Sequence, residues 1–332
     1  MDLVQLSHGS GGRMMHQLIS DYFVPAFDLK TLNDSAVIDD LCKGKIAVTT
    51  DSYVISPLFF PGGDIGVLSV CGTVNDLSVS GARPFYLTAG FIIEEGFPIE
   101  DLKKILYSMK SAADGAGVKI IAGDTKVVDR GKGDGIFINT AGIGVVEEGV
   151  DISPLHVRPG DKVILSGSIG NHGISVMAER NGISFEPAIL SDVRPLNGLV
   201  ERMLRKTKNI HVMRDPTRGG VATTLKEIAN GSRYCIVIDE AAIEVKPGVR
   251  GACELLGLDP LYIANEGILI AIVDSNDAGR LVDEMRLTEA GSGAVIIGEV
   301  KETPKEMVLL KTGIGGIRIL DMLSGDQLPR IC

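Results

Sequence analysis

The sequence IGVLSVCGTVNDLSVSGARP occupies residues 65–84 and decides the fold of the first half of the chain. Apolar side chains recur in it at helical spacing, which predicts a long helix over residues 65–82. The apolar positions are Val67, Val70, Cys71, Val74 and Leu77, and the small or polar positions are Ser69, Gly72, Thr73, Asp76 and Ser80. We therefore expect Asp76 to project from a face that a ligand can approach closely.

Segments rich in β-formers alternate with helical segments on both sides of this helix. Strands are predicted over residues 36–39, 45–50, 85–93, 119–122 and 135–146, with a second helix near 99–116. Proline and glycine between residues 153 and 161 predict a domain boundary. Beyond it the pattern restarts with a strand at 162–166 and helices at 174–180, 196–206 and 220–231. The chain is therefore predicted to be an α/β (α+β) protein of two domains. We divide it into a Gly-rich segment (1–32), an N-terminal domain (33–150), a C-terminal domain (151–311) and a mobile tail (312–332).

Composition excludes several classes of function. The net charge of −10 and the lack of a basic, aromatic-rich cluster argue against a nucleic-acid partner. No apolar run approaches a membrane span, and the N-terminus does not resemble a signal peptide. The five cysteines are widely spaced, which argues against a disulfide framework or a structural zinc site. We expect a soluble, cytoplasmic protein in which Cys71 and Cys235 are inert buried thiols.

Four aspartates of the first half stand at predicted element ends, each beside small residues. They are Asp34, Asp51, Asp76 and Asp124. Strand ends bring loop carboxylates together, and Mg²⁺ prefers such hard oxygen ligands. Each aspartate taken alone is more typical of a cap or a turn than of a metal site. Their joint spacing favours a magnesium site.

In the second half, the segment Asp215-Pro216-Thr217-Arg218-Gly219-Gly220 precedes a predicted helix. Exposed amides at a helix N-terminus can hold a phosphate, and Arg218 could neutralise it. Capping by Thr217 alone explains the pattern equally well. The segment GSIGNHG at 167–173 resembles a dinucleotide-binding loop only weakly, and its His172 suits either a local turn or a substrate contact.

The chain ends on Cys332, at the close of a Gly-rich segment that begins near Thr312. A terminal thiol is unusual, because cysteines are mostly buried or paired whereas chain ends are exposed. About 20 extended residues would carry the sulfur tens of ångströms, so the tail could act as a swinging arm. A frayed end with a chance cysteine is the alternative.

These motifs resemble those of the aminoimidazole ribonucleotide synthetase superfamily, which also includes thiamine-monophosphate kinase and selenophosphate synthetase. The resemblance rests on Thr50-Asp51-Ser52, Val74-Asn75-Asp76-Leu77, Gly81-Ala82-Arg83-Pro84, Ala122-Gly123-Asp124-Thr125 and Asp215–Gly220. Residues 7–12, residues 213–220 and the terminal Pro329-Arg330-Ile331-Cys332 are most similar to the HypE family of hydrogenase maturation proteins. The resemblance covers essentially the whole chain.

The resemblance implies an activity and its cofactors. ATP would bind in a groove of an N-terminal domain that pairs with its twin, and Mg²⁺ would be held by Asp34, Asp51, Asp76 and Asp124. The other implied nucleotide-binding residues are Thr125, Asp215, Thr217, Arg218 and Gly219. A carbamoyl group carried on Cys332 would be dehydrated to a thiocyanate. Lys126 and Glu266 would transfer protons, although either residue could be an ordinary ion-pair partner.

The resemblance also implies partners. The carbamoyltransferase HypF would load the cysteine, and the HypC–HypD complex would receive cyanide for the iron of a [NiFe] hydrogenase. Two other functions remain open. A small-molecule kinase of the same superfamily would use the same aspartates without needing Cys332, and a non-catalytic scaffold would use the tail only for docking.

Overall fold

The computed structural model describes residues 12–18, 20, 36–42, 44–325 and 331. Most of the predicted segment 1–32 and two predicted functional residues, Asp34 and Cys332, lie outside the described residues. The side chain of Thr125 is likewise not described.

The first half of the described chain forms a five-stranded sheet. Its strands are β1 (Ala36–Cys42), β2 (Gly44–Tyr53), β5 (Ala82–Glu94), β6 (Lys119–Val128) and β7 (Ile136–Val146). A short hairpin of β3 (Phe59–Phe60) and β4 (Gly63–Asp64) lies between β2 and the first long helix. The strand order is β1-β2-β7-β5-β6, so β7 is central and β6 is an edge strand.

Two long helices cover one face of this sheet, and a short one, α1 (Arg13–Leu18), precedes it. The first long helix, α2 (Ile65–Val79), begins at Asp64, whose side chain accepts hydrogen bonds from the amides of Gly66 and Val67 at 2.7 and 3.0 Å. The second, α3 (Ile99–Ala116), ends where Gly117 adopts a left-handed conformation that glycine tolerates without strain. The two helices pack on each other and hold α2 against β2 and β7.

The second half forms a seven-stranded sheet of order β14-β13-β10-β12-β8-β11-β9 among the described residues. The strands are β8 (Lys162–Leu165), β9 (Ile210–Arg214), β10 (Cys235–Asp239), β11 (Ile270–Val273), β12 (Val295–Lys301), β13 (Val308–Lys311) and β14 (Ile317–Leu320). The helices are α4 (Asn171–Arg180), α5 (Asn197–Lys206), α6 (Gly220–Ser232), α7 (Pro247–Leu256) and α8 (Ser275–Met285). The mixed α/β class predicted from the sequence is confirmed.

Helix α2 corrects one prediction. Its small polar side chains do not face a cavity, because Ser69 and Thr73 are fully buried against the first sheet. The hydroxyl groups of Thr73 and Thr140 of β7 are hydrogen-bonded, and the Thr140 hydroxyl also contacts the Ser69 carbonyl oxygen at 2.9 Å. The other side of α2 faces the second domain: Asn75 bonds the backbone of Arg194 and Leu196, and Val79 joins a hydrophobic cluster that contains residues of that domain. Helix α2 is therefore buried on both sides and joins the two domains.

The structure also corrects the predicted start of the tail. Residues 317–320 form β14, which pairs antiparallel with β13 at the edge of the second sheet. Beyond it, the backbone of Leu323 accepts a hydrogen bond from the Arg13 amide at 2.9 Å. The chain is therefore attached to the second domain as far as Leu323, well beyond the predicted start of the tail at residue 312. None of the helices in the described ranges has the length and hydropathy that crossing a bilayer requires.

Candidate active site

Asp51 and Asp76 come from neighbouring elements of the first domain. Asp51 lies near the end of β2, and Asp76 lies in α2, where the Thr49 hydroxyl donates a hydrogen bond to Asp76 Oδ2 at 2.9 Å. Burial raises the pKa of the Asp51 carboxyl, and the positive charge of Arg218 acts against that shift. Since Arg218 belongs to the second domain, predicted residues of both domains meet at one site.

The turn that carries Asp215 and Arg218 connects β9 to α6. Gly219 and Gly220 both have positive φ angles, 79° and 61°, and a Cβ on Gly220 would lie 2.6 Å from the Leu261 carbonyl oxygen. Gly219 is the N-cap residue, and no side chain caps this helix in the described part of the chain. The predicted capping by Thr217 is therefore not formed. The Gly220 amide, the first of α6, instead donates to the Thr217 carbonyl at 3.0 Å.

Glu266 lies in the loop before β11 and is only 2% exposed. Its Oε1 atom has no hydrogen-bond partner among the described residues. Burial raises the pKa of this carboxyl well above its ordinary value, and the negative charges of Asp215, Asp192 and Asp51 raise it further, while Arg218 lowers it. These electrostatic interactions place Glu266 in the same cluster as Asp51, Asp215 and Arg218.

Three residues of this cluster were missed by the sequence analysis. Asp192 accepts hydrogen bonds on Oδ2 from the amides of Glu266 and Gly267 at 3.2 and 2.9 Å, and its buried Oδ1 has no partner among the described residues. The Asn75 amide group donates to the Glu266 carbonyl at 3.1 Å. The buried Tyr53 has a pKa raised by burial and then by the charges of Asp51, Asp76 and Glu266. Only Asn75 carried a sequence signal, as a polar residue inside an apolar helical run.

Asp124 and Lys126 do not join the cluster within one chain. They lie on edge strand β6, where Lys126 Nζ is 2.8 Å from Asp124. Strand pairing aligns Asp124 with Gly90 and Asn139, and Asn139 with Ser52, so Asp124 projects from the face opposite to that of Asp51. Strand β6 is also three positions from β2, which is about 14 Å at the usual strand spacing.

The structure also limits the predicted magnesium site. No three metal-ligating side chains converge on one point within the described residues. The carboxylates of Asp51 and Asp76 nevertheless both act on Tyr53, and the buried Asp192 Oδ1 and Glu266 Oε1 have no hydrogen-bond partner among the described residues. This donor set suits Mg²⁺ held by few protein oxygens together with phosphate oxygens and water.

His172 and the chain terminus meet beside this cluster. His172 is completely buried near the start of α4, and its Nε2 atom is 2.7 Å from the carbonyl oxygen of Ile331. Ile331 is 4% exposed and packs in the same hydrophobic cluster as Tyr53 and Ala264. His172 therefore does more than form a local turn, because its ring contacts the chain terminus.

Comparison with known proteins identifies the family. Family models described as the N-terminal and C-terminal domains of AIR synthase related protein match residues 32–146 and 158–311. Carbamoyl dehydratase HypE of Cupriavidus necator is 52% identical over 332 residues, which cover 99% of this chain and 95% of the relative. The chain belongs to the HypE family.

Solved structures of HypE proteins agree with this assignment. A HypE–HypF complex contains a chain that is 50% identical, with a TM-score of 0.87, and the match covers 92% of this chain and 99% of that one. A HypE in complex with ATP is 47% identical, with a TM-score of 0.85, and the match covers 99% of this chain and 100% of that one. The predicted resemblance to the HypE family is therefore confirmed.

Proposed function

We propose that this chain dehydrates an S-carbamoyl group on Cys332 to a thiocyanate at the expense of ATP, and so supplies cyanide for the iron of a [NiFe] hydrogenase. One observation carries the proposal. Ile331, the residue before Cys332, is buried in the cluster that also contains Tyr53, whose phenol lies among the charges of Asp51 and Glu266. Because consecutive Cα atoms are about 3.8 Å apart, the buried Ile331 is the point of attachment from which Cys332 would act at these carboxylates.

The chemistry requires a better leaving group than amide oxygen. Attack of the carbamoyl oxygen on the γ-phosphorus of ATP releases ADP, and one nitrogen-bound proton is lost as the imidate forms. Cleavage of the C–O bond then releases inorganic phosphate and the second proton, and leaves S–C≡N. The carbamoyl oxygen departs in the phosphate, so neither oxidant nor reductant is needed. The enzyme has to position the phosphoryl group and accept protons.

Residues of both domains serve the nucleotide. The guanidinium of Arg218, in the turn before α6, suits a phosphate group. Asp51 and Asp76 would hold Mg²⁺, with Asp34 and Asp124 as the further predicted ligands. When bound, this ion neutralises phosphate charge during the transfer. Thr125, Asp215, Thr217 and Gly219 remain the other proposed contacts of the nucleotide.

Glu266 is the proposed proton acceptor. Burial and the neighbouring carboxylates raise the Glu266 pKa, so its carboxylate binds a proton more strongly than an ordinary glutamate does, which suits a proton acceptor. Its buried Oε1, which lacks a partner among the described residues, is free to accept a proton from substrate. Lys126 is exposed on the opposite face of the first sheet, and its proposed role requires a second copy of the chain.

A homodimer is part of the proposal because α2 and α3 cover only one face of the first sheet. The other face exposes large apolar side chains on two adjacent strands: Tyr86 and Ile92 of β5 and Ile143 of β7. Exposed apolar patches of this kind favour association. Asp124 and Lys126 lie on this face, so pairing of two copies would bring them to an interface.

The partners and location follow from the same function. HypF would load Cys332 with the carbamoyl group, as the HypE–HypF complex suggests by analogy. The HypC–HypD complex would accept the cyanide. The cytoplasmic location predicted from the cysteine pattern also belongs to this proposal.

Mass spectrometry of the tail tests the function against the kinase and the scaffold. Incubation with the carbamoyltransferase and carbamoyl phosphate should add about 43 Da to the C-terminal peptide, and ATP should convert this to a gain of about 25 Da. Cys332→Ala should lose both adducts and still bind ATP, because binding is assigned to the folded body. Adducts that persist on the variant, or ATP turnover without a loaded cysteine, would reject the proposal.

A further inference from the structure

The His172 side chain is held from both of its ring nitrogens. Nε2 lies 2.7 Å from the Ile331 carbonyl oxygen, and Nδ1 lies 2.8 Å from Ser191 Oγ. A carbonyl oxygen only accepts, so Nε2 must carry the proton in this contact. Ser191 Oγ accepts from the Val193 amide at 3.1 Å and can donate its own proton to Nδ1. Nε2 therefore donates to the tail, and Ser191 supplies the donor that Nδ1 needs in the neutral tautomer.

The ring is also held by packing. The Phe60 ring meets it edge-on, with centroids 5.4 Å apart, and burial lowers the His172 pKa, which favours the neutral form. The neighbouring Gly173 amide donates to the Ala264 carbonyl at 3.1 Å. This bond ties the start of α4 to the segment that carries Glu266. The histidine and the proposed proton acceptor thus stand on segments whose relative position is fixed.

The carbonyl that His172 binds lies next to Cys332 in the chain. It belongs to the peptide group that joins Ile331 to Cys332, so the hydrogen bond acts on the last peptide of the chain. Preceding residues 324 and 325 are exposed, whereas Ile331 is buried, so the terminus returns to the protein at this one described point. A hydrogen bond to the last peptide limits the volume that the sulfur can explore.

We propose that His172 is a positioning residue, which binds the terminal peptide carbonyl and holds the Cys332 sulfur beside Glu266 and the nucleotide. Its catalytic consequence rests on the proposed function. Its structural consequence does not, because tail docking can be measured without ATP, carbamoyl phosphate or a partner protein.

The first test is the rate at which iodoacetamide alkylates Cys332, followed on the C-terminal peptide by mass spectrometry. His172→Phe keeps a ring beside Phe60 but removes the donor, so alkylation should accelerate about fivefold, the factor that one net hydrogen bond contributes. His172→Gln keeps an N–H group near the position of Nε2 and should stay within about twofold of the parent. His156→Phe, at a half-exposed histidine of the second domain, is the matched control and should have no effect.

A second variant protects the test against misfolding of His172→Phe. Ile331→Asp places a charge in the apolar cluster at the very end of the chain, and it should accelerate alkylation at least as much. Thermal unfolding identifies the variants that fold. Equal alkylation rates for the parent and for whichever of His172→Phe and Ile331→Asp is folded would overturn the proposal.

The catalytic readout separates this proposal from the proposed function. In His172→Phe, conversion of carbamoyl-Cys332 to the cyano form should slow by about the same factor, while the KM for ATP stays unchanged. His172→Gln should recover the rate. If the parent forms no carbamoyl adduct but the alkylation rates differ as expected, the proposed function fails and tail positioning stands. If the parent reacts normally and the alkylation rates do not differ, the proposed function stands and tail positioning by His172 fails.

Discussion

At the scale of single residues, charge and burial oppose each other in the cluster around Glu266. Carboxylates removed from water without enough positive charge are costly, and the cost is reduced when one of them keeps its proton. Glu266 is the residue whose environment favours the proton most clearly, since burial and three negative neighbours act together against Arg218. A glutamate that keeps its proton in the folded chain affects both the pH dependence of stability and the proposed reaction, and the two effects can be measured separately.

Glu266→Gln should change the pH dependence of stability. Above about pH 4.5 the unfolded chain loses this proton while the folded chain keeps it, so the parent loses stability as pH rises towards the folded pKa. The variant has no proton to lose. Its Tm relative to the parent should therefore rise from about pH 5 to pH 8, and the difference should vanish near pH 4. Calorimetry without nucleotide measures this.

Glu284→Gln provides a control of opposite sign. Hydrogen bonds from Arg202 and Lys206 lower the pKa of Glu284, so its contribution to stability is present above the unfolded pKa and is lost as pH falls. This variant should be less stable than the parent at neutral pH and approach it in acid. A Tm difference for Glu266→Gln that does not vary with pH would show that Glu266 is ionised in the folded chain.

The same substitution should stop the reaction at a defined point. Glu266→Gln removes a base but keeps size and hydrogen-bonding capacity, so ATP should still bind while carbamoyl-Cys332 accumulates. A time course of the two tail adducts at saturating ATP measures this. Conversion at the rate of the parent would assign the base elsewhere, with Lys126 and His172 the next residues to test.

Asp76→Asn should act on the nucleotide instead. The amide cannot supply the negative charge proposed to hold Mg²⁺, so turnover should fall by about 10²–10³, equivalent to about 3–4 kcal/mol of transition-state stabilisation. Folding should be retained, because the Thr49 hydroxyl can still donate to the side-chain oxygen. Activity at different Mg²⁺ concentrations measures the loss. Near-normal turnover in the folded variant would remove Asp76 from the site.

At the scale of elements, the sequence predicted which segments form helices and strands better than it predicted what they face. Helix α3 and strand β7 lie where the periodicity placed them, because each buries one face and alternates cleanly. Helix α2 was interpreted as half polar and accessible, yet both its sides are buried. Sequence spacing reports which residues share a face, but it does not report that a second domain will cover that face.

The turn before α6 offers a prediction at this scale. Gly220→Ala would force a side chain into a backbone conformation with φ of 61° and towards the Leu261 carbonyl, 2.6 Å from the new Cβ. We expect a loss of about 1–3 kcal/mol in the free energy of unfolding, with weaker ATP binding as the turn that carries Arg218 shifts. Gly251→Ala in α7, where nothing lies within 4 Å of the new Cβ, should instead be neutral or stabilise by up to about 1 kcal/mol. Denaturant unfolding measures the stability of both variants, and equal stabilities would show that a side chain at residue 220 causes no strain.

At the scale of the whole molecule, the site consists of residues that lie far apart along the chain, and no local sequence pattern encodes their grouping in space. Glu266 comes near Asp51 and Asp215 because its loop is bonded to Asn75 of α2, which packs on β2, and to Pro216 in the turn after β9. The motifs predicted that these residues matter, while their spatial grouping had to come from the fold. The same holds for Asp124 and Lys126, which local motifs place beside the other aspartates and the sheet places on its opposite face.

That opposite face gives the last prediction. Ile143 lies on the central strand β7 and is 39% exposed, so Ile143→Glu places a charge in the middle of the open apolar surface. If two copies pair through this surface, the parent should sediment as a dimer and the variant as a monomer at micromolar concentration. Leu255→Glu, at an exposed leucine of α7, is the matched control and should remain dimeric. Cyanation of Cys332 should be lost when dimerisation is lost, because Asp124 and Lys126 would reach an active site only in the partner copy. A monomeric parent, or a monomeric variant with full activity, would show that each chain works alone and would remove both residues from the catalytic machinery.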